Sequence, residues 1–391
     1  MSAGLDAVEL LREAVACPSP SGQEARLARL LVERMAGFAD EAFVDAAGNA
    51  VAVWGEGRPR VTVLGHIDTV PGDIAVRVEE GELFGRGAVD AKGSFCAAVA
   101  AVAGLPPELR GRLSIRLVGA VEEEAPSSKG ARFAVQTYEP PDVLVIGEPS
   151  GWDAYTLGYK GRLMARLEAR RPNAHSSRDD ATAAEIAVEG YRRVRAFVDD
   201  DGAAEVLDGG SHGGSDGPAG AGGRAQRAGP ANARGRFDAL QLSLQALESA
   251  NDGLEQHCVA TFSFRLPPRW PPDALADRLR ALELPGGTTL SFSGGEVAVR
   301  AARDSSVARA FRVAIRAAGG RPRAKVKTGT SDMNVVAPRW PVPTLAYGPG
   351  DSALDHTPDE RLSLEEYRRA VMVWRGALGE LGGVGVSASG S

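Results

Sequence analysis

The sequence predicts an α/β protein with a smaller α+β domain inserted into the larger one. Short apolar runs alternate with helical patterns in the first part of the chain and again near its end, while the middle contains longer runs of alternating polarity. The 391 residues also exceed the roughly 250 to 300 that one hydrophobic core usually organises. We therefore expect a larger domain made of residues 1–157 and 298–391, and an insertion of residues 158–297.

Hydrophobic spacing predicts the elements of the larger domain. Apolar residues recur at helical intervals over 23–39, directly after the turn-prone sequence PSPSG, which favours an early amphipathic helix. Short apolar runs with turn residues on either side predict strands. The predicted strands are 51–54, 61–65, 113–121, 142–146 and 342–347, and the further predicted helices are 91–104, 304–319 and 363–380.

The insertion is expected to form a small α+β layer. RLMARLEARR and HCVATFSFRL (257–266) both alternate in polarity as strands do, and 288–293 predicts a shorter strand. Helical patterns at 179–198 and 273–283 lie beside them. Residues 201–235 are a Gly, Ala, Ser and Pro mixture that cannot offset its ordering entropy by burial, so we predict a flexible loop there.

Composition excludes several classes of function. The net charge of −6 provides no basic field for a polyanion, so nucleic acid is not an expected partner. No stretch approaches the roughly 20 apolar residues that span a bilayer, and no signal peptide is readable at the amino terminus. Cys17, Cys96 and Cys258 lack the paired spacing of a thiolate zinc site or a disulfide framework. The prediction is a soluble, cytoplasmic protein with no membrane partner.

A histidine and an aspartate follow one predicted strand closely. In GHIDTVPG at 65–72, the apolar run VTVLG ends in His66 and Asp68. The carboxyl ends of strands in open α/β sheets face the crevice where ligands bind. Residues two apart share a face of a strand, so Asp68 is expected to hydrogen-bond the far nitrogen of a metal-bound His66. An isolated His-x-Asp is more often a loop histidine with a capping aspartate, so other residues must decide.

Acidic residues and a second histidine recur at further strand ends. Each of these residues has a simpler interpretation when it is taken alone. Asp90 could be a helix N-cap, and the three glutamates could lie in the solvated first turn of a helix. Glu148 could be a turn residue, and His356 a loop histidine. Together they form a nitrogen and oxygen ligand set suited to zinc, cobalt or manganese rather than calcium. One ion would leave carboxylates unpaired, which predicts two. The residues are Asp90, Glu122, Glu123, Glu124, Glu148 and His356.

On these motifs the chain resembles the aminoacylase, carboxypeptidase, DapE and ArgE group of co-catalytic zinc hydrolases. The matching sequences occur in the family's order between residues 18 and 361: GHIDTVPG, GRGAVDAKG, EEEAPSSKG, GEPS, NAHSS, GTSD and the downstream His356. The resemblance implies a zinc-peptidase-like α/β catalytic domain, an inserted lid and dimerisation domain, and a homodimer. It also implies two divalent metal ions, Zn²⁺ or Co²⁺, that activate water for amide hydrolysis.

The resemblance implies individual roles as well. Glu123 would be the general base, taking a proton from the attacking water and returning it to the leaving amine. Asp68 would orient His66, and His175 on the lid would stabilise the oxyanion. The metal ligands would be His66 and Glu148 for one ion, Glu124 and His356 for the other, and Asp90 as the bridge between them.

The sequence also offers candidates for substrate contacts. Arg265 in FSFRLPP would pair with a substrate carboxylate, although an arginine on a strand is more often a surface ion-pair partner. The turn residues Gly329, Thr330 and Ser331 would supply main-chain N–H groups near the metals. Asp332 would order that turn or face a substrate amine.

Two stretches, GAVEEEAPSSKGARF and GEPSGWDAYTLGYKG, most resemble the lysine and ornithine hydrolases that act with an amino-group carrier protein. The substrate would be lysine or ornithine joined to the γ-carboxyl of the carrier's C-terminal glutamate, released at the last step of lysine or arginine biosynthesis. Glu122 and Ala125 stand where family members commonly have Asp and Gly, and neither change removes a ligand.

Other functions stay open at this point. One is a small-molecule deacylase, such as acetylornithine deacetylase or succinyl-diaminopimelate desuccinylase, or a dipeptidase, with the same metals and a different acyl pocket. Another is a non-catalytic binding protein that kept the fold. Loss of Glu123 or of a ligand would mark the second, and every one of these residues is present.

Overall fold

The computed structural model describes residues 5–175, 179–208 and 233–384. Its contacts divide the chain into two units. The larger consists of Met1–Gly158, Val299–Lys325 and Ser331–Ser391, and the smaller of Tyr159–Ala298 and Val326–Thr330. Val326–Thr330 was expected in the larger domain but groups with the smaller one, because the Thr330 hydroxyl and the Lys160 N–H join the two segments of the smaller unit by hydrogen bonds of 3.3 and 3.2 Å.

A nine-stranded mixed sheet organises the larger unit, in the order β1-β2-β6-β3-β7-β15-β8-β13, with β14 also paired to β8. Neighbours β6, β3, β7 and β15 run parallel. Strand β2 pairs antiparallel with both β1 and β6, and β8 pairs antiparallel with β15. The strands are β1 (Glu41–Val44), β2 (Ala50–Trp54), β3 (Arg60–His66), β6 (Ser114–Ala120), β7 (Val143–Gly147), β8 (Ala154–Tyr159), β13 (Val299–Arg300), β14 (Arg323–Lys327) and β15 (Thr344–Ala346).

A separate three-stranded sheet, β16-β5-β4, is also part of the larger unit. Its strands are β4 (Arg77–Glu79), β5 (Glu82–Phe84) and β16 (Arg361–Ser363). In the antiparallel pairing of β16 with β5, Arg361 lies opposite Phe84. This short ladder joins the chain just before Asp90 to the chain just after His356.

Helices supply the remaining core of the larger unit. Every residue of α3 from Lys92 to Val102 is buried. The many small residues of this helix, Gly, Ala and Ser, let it pack closely against β3 and α10. Trp374 of α10 stacks edge to face on Phe311 of α8 and on Tyr347 after β15. The helices are α1 (Ala7–Val15), α2 (Ala25–Met35), α3 (Lys92–Ala103), α4 (Lys129–Thr137), α8 (Ser306–Ala317), α9 (Asp332–Val336) and α10 (Leu364–Leu381), with a 3₁₀ turn at Pro107–Leu109.

The smaller unit is a four-stranded antiparallel sheet, β10-β11-β9-β12, with helices on one face. Side chains alternate along its strands, so that Leu163, Leu167, Phe262 and Phe264 are buried while the intervening residues are more exposed. The elements are β9 (Gly161–Pro172), α5 (Ala183–Asp208), α6 (Ala233–Asp238), β10 (Gln241–Asn251), β11 (Glu255–Leu266), α7 (Pro272–Arg280) and β12 (Thr288–Glu296).

The α/β fold class predicted from the sequence is observed, with differences in individual elements. Strand β10 was not predicted, because QLSLQALESAN fits a helical period as well as an alternating one. Residues 201–208 were expected in a flexible loop, yet they complete α5, since DGAAEVLD is rich in helix formers. The rest of that predicted loop, 209–232, lies outside the described residues. Among those described, no helix combines the length and apolarity needed to cross a membrane.

Candidate metal centre

Three adjacent parallel strands end at the same edge of the large sheet. In register, His66 at the end of β3 lies beside Ala120 at the end of β6, and Gly65 lies beside Gly147 at the end of β7. The residues after β6 and β7 therefore emerge next to His66. They include Glu122, Glu123 and Glu124 after β6, and Glu148 after β7.

The ligand candidates lie around a central aspartate. Asp90 Oδ1 is 3.2 Å from His66 Nε2, and Asp90 Oδ2 is 3.1 Å from His356 Nε2. His66 Nε2 is also 3.9 Å from a Glu148 oxygen, and His356 Nε2 is 2.8 Å from a Glu124 oxygen. Each half of the cluster thus has one histidine and one glutamate, with the two oxygens of Asp90 divided between the halves. Ligand atoms of His66, Asp90 and Glu124 all fall within 4.8 Å of one another.

The electrostatics of this cluster fit cations. Burial opposes the charged form of His66, but hydrogen bonds to Asp68 and Asp90 outweigh burial and raise its pKa well above the ordinary value. Hydrogen bonds to Asp90 and Glu124 raise the pKa of His356 to about 10. Protons on the two imidazoles therefore offset part of the negative charge of the carboxylates. Divalent ions would offset the same charge if these nitrogens and oxygens coordinated them. The donor set fits two divalent metal ions.

Asp68 acts partly as expected and partly otherwise. His66 Nδ1 lies 3.0 Å from the main-chain oxygen of Asp68 and 3.4 Å from its carboxylate, so the carbonyl is the nearer partner. The carboxylate instead accepts hydrogen bonds from the N–H groups of Glu123 and Glu124, both at 3.0 Å, and from the Ser21 hydroxyl at 2.7 Å. Asp68 therefore ties the glutamate segment to the first histidine. The sequence pattern did not predict these main-chain contacts.

The structure also decides between the simpler readings of Asp90 and the glutamates. The N-cap of α3 is Ala91 rather than Asp90. Helix α4 begins at Lys129, so the three glutamates are not its first turn. Glu122, in a left-handed conformation with φ of 59°, accepts a hydrogen bond from the Ser127 hydroxyl and pairs with Lys129 at 3.4 Å. Its carboxylate is thereby engaged away from the ligand cluster.

Glu123 differs from both neighbours. Burial, reinforced by the carboxylates of Asp332, Glu124 and Asp90, raises its pKa well above the ordinary value, although the charge of His66 opposes this. Its main-chain N–H is fixed by Asp68. The side chain thus belongs to the same electrostatic cluster as the ligand candidates.

The predicted substrate-binding turn is mostly committed to local structure. Ser331 caps α9, and its N–H donates to the Asn334 side chain at 2.9 Å, so this N–H is engaged within the capping box. Both Asp332 oxygens are inaccessible to solvent and accept no hydrogen bond from the described residues, and burial raises the Asp332 pKa to about 8. Asp332 is therefore buried close to His66, Asp68 and Glu148, whose charges also act on its pKa. Gly329 and Thr330 are partly exposed.

Four predicted site residues, His175, Arg265, Gly329 and Thr330, belong to the smaller unit, whereas the ligand cluster belongs to the larger one. Arg265 on β11 is half-buried, lies opposite Arg162 of β9 and donates to the Thr330 hydroxyl at 2.7 Å. Burial lowers its pKa. His175 is exposed shortly after the end of β9.

Sequence reasoning missed Ser21, Arg86 and Glu360, which contact the residues around the cluster rather than forming it. Ser21 lies in the PSPSG turn, which was read only as a helix boundary. Glu360 follows His356 in DHTPDE, where its nearness to a predicted ligand was the available signal.

Known proteins resemble this chain in sequence and in fold. The model of "Peptidase family M20/M25/M40" matches residues 62–380. A LysW-lysine hydrolase of Deinococcus radiodurans is 50% identical, over 96% of this chain and 97% of that protein. A putative LysW-lysine/LysW-ornithine hydrolase of Thermococcus kodakarensis is 35% identical, over 96% of this chain and 92% of that protein.

A solved structure shares the fold. The M20 family metallo-carboxypeptidase Sso-CP2 from Sulfolobus solfataricus superposes with a TM-score of 0.76 at 18% identity, over 97% of this chain and all of that one. The resemblance stated from the motifs is thereby confirmed. The match of the family model over most of the chain, together with the two full-length relatives, shows that this chain belongs to peptidase family M20/M25/M40.

Proposed function

We propose that this chain is a two-metal amide hydrolase that releases lysine, or ornithine, from the γ-carboxyl of the C-terminal glutamate of an amino-group carrier protein. The observation that carries the hydrolase assignment is the division of the Asp90 oxygens between His66 and His356. The two full-length relatives, a LysW-lysine hydrolase and a putative LysW-lysine/LysW-ornithine hydrolase, support the carrier-linked substrate. The reaction would complete lysine or arginine biosynthesis.

The metal centre would be built from the residues that the structure brings together. In this proposal His66 and Glu148 hold one ion, Glu124 and His356 hold the other, and Asp90 bridges them. Zn²⁺ or Co²⁺, when bound, supplies Lewis acidity toward water and the substrate carbonyl. Nitrogen and carboxylate donors in these numbers suit both ions.

Glu123 would move the proton. It neighbours the proposed ligand Glu124, is partly buried, and carries no ligand role in this proposal. Its carboxylate accepts the proton of the attacking water and returns it to the leaving amine of lysine, so that bond cleavage releases a neutral amine. Asp68 contacts both the Glu123 main chain and the His66 ring, and so fixes the position of the proposed base relative to the proposed ligand His66.

The smaller unit would serve as lid and dimerisation domain. His175, exposed on it, would stabilise the oxyanion of the tetrahedral intermediate. Arg265 would pair with a substrate carboxylate, which its half-buried position and its bond to the Thr330 hydroxyl support, since a partly desolvated guanidinium binds a carboxylate more strongly than an exposed one. Gly329 and Thr330 would line the substrate beside it.

The test compares two substrates with the zinc- or cobalt-loaded protein. One is lysine on the carrier's γ-glutamyl tail, and the other is free N-acetylornithine. Release of lysine from the carrier substrate, with little cleavage of the free compound, supports the proposal. Efficient cleavage of N-acetylornithine instead would identify a small-molecule deacylase, and no hydrolysis of either by a metal-loaded protein would contradict the enzyme assignment.

A further inference from the structure

Glu360 is a buried carboxylate, 1% exposed, on the same loop as His356. One of its oxygens accepts hydrogen bonds from the main-chain N–H groups of Val89 at 3.0 Å and Asp90 at 3.1 Å. The other accepts from the Arg86 guanidinium at 2.8 Å. All three donors lie in the segment that leads into Asp90. The carboxylate therefore fixes the backbone at the aspartate on which the ligand cluster is centred.

The backbone of Glu360 reinforces this link. Its carbonyl oxygen accepts from the Gly85 N–H at 3.3 Å, and the next residue, Arg361, begins β16, which pairs with β5. The loop that carries His356 and the loop that carries Asp90 are thus joined by a strand ladder and, beyond its end, by the Glu360 side chain. Arg86 extends the connection by donating to the Gly72 carbonyl at 3.0 Å.

The cluster is sensitive to the placement of Asp90. Its two oxygens lie 3.2 and 3.1 Å from two different histidines, so a rotation of the aspartate toward one lengthens its distance to the other. Glu360 contributes no ligand atom to this cluster. It nevertheless holds the Asp90 main chain from the loop that carries His356.

We propose that Glu360 is a positioning residue for the metal centre, acting through the main chain of Val89 and Asp90 to keep Asp90 in its bridging orientation. The inference rests on the proposed function, because it concerns the affinity of the two-metal site. Groups that orient metal ligands typically change metal affinity or activity by about 10 to 100-fold when they are altered.

Glu360→Gln is the direct test, since it changes one atom and keeps the shape. An amide has a single acceptor oxygen, so its –NH₂ group must face either the two main-chain N–H groups or Arg86, and a donor then opposes a donor. We expect metal-free Glu360→Gln, titrated with Zn²⁺ by calorimetry, to bind its weaker ion about 10 to 100-fold less tightly than the unaltered protein. We also expect kcat to fall, with little change in KM, and to recover partly at high metal concentration.

Asp142→Asn is a matched control. Asp142 also accepts from a main-chain N–H, that of Arg60 at 2.8 Å, and from the Arg58 guanidinium at 3.2 Å, but it precedes β7, at the end of the strand away from Glu148. This variant should bind both ions as the unaltered protein does. If Glu360→Gln does not fold, Glu360→Asp keeps the charge but shortens the reach, and the same loss of affinity is expected.

The possible outcomes distinguish a failure of the Glu360 proposal from a failure of the proposed two-metal function. Two ions bound by the unaltered protein, with a weakened site in a folded Glu360 variant and not in Asp142→Asn, support the inference. Unchanged affinity in a folded Glu360 variant overturns it and leaves the two-metal proposal standing. An unaltered protein that binds no second ion overturns the proposed function, and this inference with it.

Discussion

Glu122 and Glu123 are neighbours with opposite surroundings. The first is held by Ser127 and Lys129, and the second is partly buried beside the ligand cluster. We expect Glu123→Gln to retain both metal ions and to lose about a hundredfold or more in kcat, because it removes a positioned general base. Steady-state kinetics and metal analysis of the purified variants measure both quantities.

Glu122→Gln is the control for this prediction, since it makes the same chemical change one residue away. Its kcat should stay within a few-fold of that of the unaltered protein. Turnover by Glu123→Gln within about tenfold of the unaltered protein would remove Glu123 from the mechanism.

Asp68 allows a second prediction at the same scale. Its carboxylate accepts from the N–H groups of Glu123 and Glu124, and an asparagine cannot accept from both while avoiding contact between donors. We expect Asp68→Asn to lower kcat/KM by about 10 to 100-fold and to weaken metal binding. Ser21→Ala removes only the hydroxyl donor and should cost a few-fold at most. Equal effects of the two changes would show that the main-chain contacts of Asp68 are unimportant.

The sequence was informative about residues whose side chains are ligands and less so about those that act through the backbone. His66, Asp90, Glu124, Glu148 and His356 were expected at one rim because they follow strands, and the structure brings them together there. The contacts of Asp68 with main-chain N–H groups depend on the path of a loop rather than on residue type. No spacing rule reveals such contacts.

At the scale of elements, α8, α10 and β15 meet around three aromatic rings. Trp374 is fully buried and stacks on Phe311 and Tyr347, with ring centroids 5.1 and 5.6 Å apart. Trp374→Ala should lower the free energy of unfolding by about 3 to 5 kcal/mol, measured by urea denaturation, because it leaves a large cavity. Met372→Ala, on the exposed face of the same helix, should change it by about 0.5 kcal/mol at most. Similar losses in both variants would contradict this view of the core.

Elements were predictable where one period of hydrophobicity dominated. Strands β3, β6 and β7 are buried on both faces and were recognised as apolar runs bounded by turns. Strand β10 was missed because it lies at the edge of its sheet and most of its side chains are exposed. Burial therefore does not impose on its sequence a period that distinguishes a strand from a helix.

For the whole molecule, pH should affect the metal-free and metal-bound proteins in opposite directions. In the metal-free protein, hydrogen bonds to Asp90 and Glu124 raise the pKa of His356 from 6.5 to about 10. Its contribution to stability is therefore fully present below pH 6.5 and is lost as the pH rises toward 10. Metal ions must displace this proton, so their affinity and the stability they add should increase over the same range.

Thermal unfolding at several pH values, with chelator or with excess Zn²⁺, measures this contrast. We expect the gap between the melting temperatures of the two forms to widen as the pH rises. The Glu123→Gln variant, which keeps the proposed ligands, should show the same widening. A gap that is constant with pH would argue against His356 as a ligand.

The discontinuity of the larger unit has a consequence for the order in which a newly made chain can fold. Strand β15 lies between β7 and β8 in the sheet, yet it is synthesised after the whole of the 159–298 segment, and His356 follows it. The smaller unit's four strands are complete long before that point. On the ribosome, the inserted segment can therefore form its own sheet while the surrounding one still lacks an inner strand. The ligand cluster can be completed only after His356, near the end of the chain, has been made.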